Sequence, residues 1–356
     1  MPLRSLSKAG LMTILKWLGL GLLTVAAGTA GGALAAALNL PAGWLVGSMI
    51  VCAALVLGGV PIFMPNAVRQ VIFVLLGVSM GSAFTPETVA TMFKWPASFL
   101  GLAVAVFGVM AAGVAYLHGV ARWSKATAFF ASVPGAMSYV LAVALRSDAD
   151  TRLVVVAQML RLMVLMALLP IVVRTTMPFE LPVRAAASSP VFGVMAGLGI
   201  EIACGFALGF LMEWLRIPGG LMVGGMIAGA AIHVSGTVSG VMPQAILIPS
   251  QVLLGAFIGL RFSGTNIGEL RDAVMPSLVS FAIAIAVAAG TAFVVARGLG
   301  LPLGQVLVAF APGGLEAMTI MAFVLGLDPA YVGVHQLVRF LGLSLLLPFI
   351  ARAYLK

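Results

Sequence analysis

An internal duplication is the feature of this sequence that most constrains its fold. When residues 134–170 are placed over residues 312–348 without a gap, twelve of the 37 positions are identical. Several identical pairs are not aliphatic, so apolar composition alone does not explain them: Pro134/Pro312, Gly135/Gly313, Asp150/Asp328, Gln158/Gln336, Arg161/Arg339 and Pro170/Pro348. Self-similarity over a long period marks a repeated structural unit, and the chain is therefore predicted to hold two copies of one unit.

The similarity extends upstream of this block. The run Val74–Gly77 matches Val252–Gly255, and with one residue of slip the region around Gly47 matches the region around Gly224. These matches predict a first repeat over residues 1–175 and a second over residues 191–356. The stretch between them, residues 176–190, contains three prolines and two serines, which is typical of a linker.

The composition predicts that both copies lie in a membrane. Hydrophobic residues make up 62% of the 356 residues and charged residues only 8%, whereas about a quarter of the residues of a soluble domain are charged. We therefore predict an all-α polytopic membrane protein with the lipid bilayer as its solvent. The net charge of +9 comes from basic residues scattered singly between apolar runs, which argues against a nucleic-acid partner.

Each copy has six apolar segments, and the fifth is interrupted in its middle. The segments lie near 14–38, 42–60, 66–85, 97–119, 124–146 and 151–174, and again near 191–215, 219–237, 243–262, 273–297, 302–326 and 329–351. The interruptions are Pro134-Gly135 and Pro312-Gly313-Gly314, which disrupt helix hydrogen bonding. Such a break permits either a broken helix that crosses the bilayer or a re-entrant hairpin with Pro-Gly at its tip.

Loop charges favour the hairpin. With a cytoplasmic N-terminus, and with Arg161 and Arg339 set aside, a crossing fifth segment puts eleven Lys and Arg inside and six outside. A re-entrant segment puts thirteen inside and four outside, in better agreement with the positive-inside rule. Five crossings per copy is an odd number, so the copies would be inverted, whereas six crossings would make them parallel. Inverted repeats with broken helices are typical of secondary transporters.

The paired arginines are the first candidates for a binding site. Arg161 and Arg339 lie within the last segment of each copy, where an arginine costs about 2.5–3.5 kcal/mol on insertion scales. They either bind an anion through their guanidinium groups or satisfy carbonyl groups of the broken segment. Gln158 and Gln336 lie three residues earlier on the same helix face, where they either bind solute or orient the arginines.

The two Pro-Gly breaks supply the other candidates. Half-helix N-termini carry free N–H groups and partial positive charge, which suits an anion. The candidate residues are Pro134, Gly135 and Ser138 in the first copy, and Pro312, Gly313, Gly314 and Glu316 in the second. Glu316 stands opposite Ser138 in the alignment. It either carries a proton or a coupling cation, or forms an ion pair with Arg339 or Arg161.

The duplicated pattern Pro-Gly-[Ala/Gly]…Asp-x₇-Gln-x₂-Arg-x₈-Pro resembles the AbrB-type bacterial membrane proteins, which carry a tandem duplication of this unit. The resemblance implies a multi-pass protein of the bacterial inner membrane. Relatives have been labelled as ammonia monooxygenases or as regulators of gene expression. The family is distinct from the soluble AbrB regulators that bind DNA. His118, His233 and His335 are far apart in the chain, so we expect no metal, no cofactor and no enzyme activity.

These observations lead to one function hypothesis and one alternative. The chain is predicted to be a secondary transporter with alternating access for a small anionic solute, coupled to a proton or a sodium ion. The alternative is a membrane-embedded regulator or sensor that affects gene expression without transport. A homodimer is compatible with either hypothesis.

Overall fold

Helices are the only regular elements in the part of the chain that the computed structural model describes, which is residues 8–82, 84, 95–135, 137–176, 191–217, 219–236, 242–263 and 267–355. The first half contains α1 (Lys8–Ala37), α2 (Gly43–Leu57), α3 (Asn66–Gly81), α4 (Trp95–Gly119), α5 (Lys125–Ser132), α6 (Met137–Ala144) and α7 (Thr151–Thr176). The second half contains α8 (Val191–Trp214), α9 (Gly220–Val234), α10 (Gln244–Gly259), α11 (Ile267–Leu299), α12 (Leu303–Phe310), α13 (Leu315–Val324) and α14 (Pro329–Leu355).

The fold is that of an all-α polytopic membrane protein. Among the described residues, seven helices are long and apolar enough to cross a bilayer: α1, α4, α7, α8, α10 with the 3₁₀ turn that follows it, α11 and α14. Helices α2 and α9 have 15 residues each, fewer than the segments predicted from the sequence. They are shorter mainly at their C-terminal ends, because α2 ends at Leu57 and α9 at Val234, two residues before glycines with left-handed φ angles, Gly59 and Gly236.

Unusual backbone conformations recur at equivalent positions of the two halves. Left-handed φ angles occur at Ala42 and Gly219, at 57° and 64°. The same sign of φ recurs in three further equivalent pairs: Asn39 and Arg216, Gly59 and Gly236, and Arg122 and Gly300. Non-glycine residues adopt this conformation rarely, so the two halves share the details of their turns as well as the order of their helices.

The chain forms two compact units that do not coincide with the predicted repeats. Unit 1 comprises Met1–Ile72 and Gln244–Gly264, and it contains α1, α2 and α10. Helix α10 packs closely on α2, since a Cβ atom on Gly255 would lie 2.2 Å from the carbonyl oxygen of Leu45. The Ser48 hydroxyl donates a hydrogen bond to the Val252 carbonyl at 2.6 Å. The repeat boundaries at 1–175, 176–190 and 191–356 stay a prediction, and residues 177–190 lie outside the described part of the chain.

Unit 2 comprises Phe73–Pro243 and Thr265–Lys356 and contains every candidate site residue. Here the second half of α3 packs on α9, because a Cβ atom on Gly77 would lie 2.3 Å from the carbonyl oxygen of Met222. Gly77 and Met222 are the equivalents of Gly255 and Leu45. In both units, therefore, the third helix of one half packs through glycine against the second helix of the other half, as small residues allow in membranes.

Candidate functional site

The first Pro-Gly break forms the tip of a helical hairpin. Val133 is extended before Pro134 (φ −62°, ψ 123°), and Gly135 adopts a φ of 84° that favours glycine. The two ends of the segment meet, because the Asp150 amide donates a hydrogen bond to the Thr127 hydroxyl at 2.9 Å. A segment of this length that crossed the bilayer would separate its ends by about 30 Å. Helices α5 and α6 are therefore antiparallel and form a hairpin.

The second break forms the same structure. Ala311 is extended before Pro312 (φ −53°, ψ 134°), and α13 then runs back along α14, where Thr319 packs against Gly333. The Gln336 amide on α14 donates a hydrogen bond to the Ala309 carbonyl at 3.0 Å, which places α12 beside α14. Helices α12 and α13 therefore form a second hairpin on the last helix of their own half.

The two hairpins point in opposite directions. The Asp150–Thr127 contact shows that the first residues of α5 and α7 lie side by side. The last residues of α14 lie at the same end of the hairpin, because the Lys125 ammonium lies 4.4 Å from the ring centre of Tyr354. Equivalent helices α7 and α14 are thus antiparallel. The hairpin tips meet, since a Cβ atom on Gly135 would lie 3.2 Å from the Gly313 carbonyl oxygen.

Each paired arginine binds the tip of its own hairpin. The Arg161 guanidinium donates hydrogen bonds to the carbonyls of Val133 at 2.9 Å and Ala131 at 3.5 Å. The Arg339 guanidinium donates to the carbonyls of Ala311, at 2.6 Å, and Gly313. Both side chains are buried. The contacts match the structural interpretation of these arginines, in which they satisfy carbonyl groups that the breaks leave free.

The paired glutamines bind the first half of each hairpin. The Gln158 amide donates to the Phe130 carbonyl at 3.1 Å. The Gln336 amide lies within hydrogen-bonding distance of the carbonyls of Val308, Ala309 and Ala311, and its own carbonyl accepts a hydrogen bond from Arg339. The glutamine on α14 therefore positions its arginine directly, whereas the one on α7 bonds, among the described residues, to the hairpin alone.

Two buried guanidinium groups lie at the meeting point of the tips. The guanidinium groups of Arg161 and Arg339 are close enough to repel each other. Among the described residues, no carboxylate lies within ion-pairing distance of either group. The buried Nε atom of Arg339 also lacks a hydrogen-bond partner within the described part of the chain. Buried charges without an ionic partner are costly even when carbonyl groups accept their hydrogen bonds, which makes this place attractive to an anion.

Glu316 turns away from the arginines. Its carboxylate forms no ion pair with Arg161 or Arg339. Instead, it faces the start of α9, where a Cβ atom on Gly219 would lie 3.8 Å from Oε1. Gly314 is extended and precedes the first turn of α13, which contains Glu316. The equivalent Ser138 belongs to α6, but its side chain lies outside the described residues.

A small polar cavity lies behind Arg161. Its volume is about 20 Å³, enough for a water molecule, and its walls include Arg161 and the hydroxyls of Ser132, Ser277 and Ser280. The buried Ser277 hydroxyl has no hydrogen-bond partner among the described residues. These serines carried no signal in the sequence, because Ser277 and Ser280 lie on α11, far from Arg161 in the chain.

Two further buried polar clusters were not predicted from the sequence. On α8, Glu201 lies 2.9 Å from Nδ1 of His233 on α9. A search for single charges inside apolar segments would have found Glu201, but the equivalent residue is Thr24, so the repeat gave no signal. The second cluster joins His335 to Ser98 at 2.9 Å, and Ser98 in turn to Tyr331. The described residues hold no group of three potential metal ligands.

Comparison with known proteins identifies the family. The sequence profile described as "Transition state regulatory protein AbrB" matches residues 44–355, which is most of the chain. The chain belongs to the AbrB family. It is 25% identical to YhjN of Bacillus subtilis (strain 168), over 91% of this chain and 90% of that protein. It is 26% identical to the AbrB protein of Escherichia coli (strain K12), over 89% and 91%. The name of the second relative proposes a regulatory role.

Proposed function

We propose that this AbrB-family protein is a secondary transporter of a small anionic solute, with its site where the two hairpin tips meet. The observation that carries the proposal is the pair of buried arginines at this point, which lack a carboxylate partner among the described residues. Guanidinium groups suit carboxylate and oxyanion ligands because their donors are arranged in a planar fork. No catalytic residue is part of this proposal.

The carbonyl contacts of the arginines are compatible with anion binding. A guanidinium group has five N–H donors, and the tip carbonyls use some of them to hold the group in place. The buried Nε of Arg339 has no partner within the described residues. An anion between the tips would compensate the repulsion between Arg161 and Arg339, and the half-helix N-termini of α6 and α13 would add partial positive charge.

The architecture supports alternating access. Antiparallel α7 and α14, and hairpins that point in opposite directions, are expected of inverted repeats with five crossings and one re-entrant hairpin each. In this proposal, the protein lies in the bacterial inner membrane with a cytoplasmic N-terminus, an orientation that the excess of basic loop residues on that side supports. Glu316, beside the second tip, is proposed to carry the coupling proton or sodium ion.

The test uses purified protein and a panel of acetate, succinate, citrate, phosphate and sulfate. We expect at least one of these anions to raise the Tm of the wild type and to be taken up by proteoliposomes. The double variant Arg161→Leu/Arg339→Leu should lose both effects, whereas Arg122→Gln, an exposed arginine in the turn before α5, should keep them. An unchanged Tm shift and uptake in the double variant would refute the site assignment.

A regulator without transport is the second candidate, because the name of the Escherichia coli relative proposes a regulator. The two candidates differ in what the arginine variants do to gene expression. If regulation is an indirect result of solute flux, transcript levels in cells that carry Arg161→Leu/Arg339→Leu should match those of a deletion strain. A double variant that abolishes uptake but leaves transcript levels as in the wild type would favour the regulator.

A further inference from the structure

A second, larger cavity opens beside the first hairpin. It has a volume of about 560 Å³, within the range of small-molecule sites. Helix α6, the turn that follows it and the last turns of α14 form most of its wall. Phe130, which precedes the first tip by four residues, also lines it. The cavity therefore leads from the open end of the first hairpin toward its tip.

The chemistry of this cavity suits an anion. Arg146, from the turn after α6, and Arg352, from the end of α14, both line it, together with Tyr139 and Ser147. Both arginines are exposed, and neither has an ion-pair partner among the described residues. The remaining wall is apolar and includes Val143 and Pro348. Like charges around a cavity with apolar walls concentrate counter-ions inside it.

The equivalent surface of the second hairpin is closed. On α6, Ala142 is exposed and Val143 is half-buried. Their equivalents on α13, Ile320 and Met321, are fully buried. The residue equivalent to Arg146 is Val324, so the basic character is also absent there. The two hairpins thus carry similar tips, but among the described residues α6 faces an open cavity at positions whose equivalents on α13 are buried.

We propose that this cavity is an aqueous access site that binds a small organic anion, such as a carboxylate, between Arg146 and Arg352 before it reaches the tips. The inference rests on the proposed transport function and names its access side and first binding residues. The structure then corresponds to the state open at the base of the first hairpin. The loop charges predict that this side is cytoplasmic.

Cysteine labelling tests the access site without a known solute. In a Cys52→Ala/Cys204→Ala background, Ala142→Cys is exposed to thiol reagents, and Ile320→Cys serves as its matched control on α13. The probes are membrane-impermeant methanethiosulfonates that carry either a sulfonate or a trimethylammonium group, applied to inside-out vesicles. We expect the anionic probe to label Ala142→Cys faster than the cationic one and neither to label Ile320→Cys. Val143→Cys provides a second probe position if the first variant folds poorly.

The arginines should determine the preference for the anionic probe. Adding Arg146→Gln/Arg352→Gln should reduce the ratio of anionic to cationic labelling rates by about threefold or more, and high salt should reduce it likewise. Adding Arg122→Gln should leave the ratio unchanged. Equal rates for both probes, no labelling, or equal labelling of Ile320→Cys would overturn the inference. These outcomes do not depend on Arg161 and Arg339, so a failed access site and a failed transport site remain distinguishable.

Discussion

The two hairpins of unit 2 share their tips but differ in what surrounds them. Both have an extended residue before proline, a glycine after it, and an arginine from the last helix that donates to tip carbonyls. The second halves differ: α13 is almost entirely buried, whereas α6 faces a cavity of about 560 Å³. The comparison indicates that the arginine-bound tips are common to both halves, and that the burial of the second half of each hairpin distinguishes them.

The largest expected effect concerns the sides of the membrane to which the hairpins open. If the hairpins enter from opposite sides, cysteines at Ser147 and Leu327 should react with an impermeant thiol reagent from opposite faces of the membrane. Leu327 is half-buried and suits labelling better than the neighbouring Leu325, which is buried. Labelling of both positions from the same face would show that the two hairpins do not enter the membrane from opposite sides.

Removal of the arginines comes next. Arg161→Leu and Arg339→Leu should each weaken anion binding at least tenfold, since a charge-assisted hydrogen bond contributes about 1.5–3 kcal/mol and about 1.4 kcal/mol corresponds to tenfold. Lysine at either position should restore only part of the affinity, because it lacks the planar fork. Isothermal calorimetry with the anion that raises the Tm would measure this, and full affinity in both lysine variants would argue against bidentate binding.

The glutamines should differ in their effect on stability. Gln336→Leu removes contacts with three carbonyls and with Arg339, whereas Gln158→Leu removes one contact with Phe130. We expect the first change to cost about 2–3 kcal/mol and the second about 1 kcal/mol, from the cost of unsatisfied buried groups. Thermal unfolding in detergent would compare the two, and equal losses would show that the two arginines are positioned alike.

The glycines after the prolines should show the smallest difference. Gly135→Ala forces alanine into a left-handed φ of 84° and places its Cβ 3.1 Å from Nη2 of Arg339. We expect a loss of about 1–2 kcal/mol. At Gly313 the three atoms nearest to the new Cβ all belong to the flexible side chain of Met318, which can shift. Gly313→Ala should therefore cost less, and unfolding midpoints that reverse this order would contradict the assigned tip geometry.

Repetition made part of the site predictable. Arg161, Gln158 and the Pro-Gly breaks stood out because each occurs twice in a chain where most repeated residues are aliphatic. Loop charges favoured the hairpin form over a crossing segment, and the Asp150–Thr127 contact agrees with the hairpin. Features without a counterpart in the other half gave no such signal. Glu201 and His233 correspond to Thr24 and Val56, and their pairing became visible only when α8 and α9 packed together.

The sequence by itself determined that the chain is an all-α membrane protein with paired arginines and paired breaks. Apolar content, helix-breaking residues and duplication depend only on the order of residues in the chain. Tertiary structure alone decided which groups those residues contact. In the folded protein Arg339 donates a hydrogen bond to Gly313, and the Glu316 carboxylate lies near Gly219. Arg146 and Arg352 line the same cavity. These pairings join residues far apart in the chain, and packing rather than local propensity sets which side chains meet.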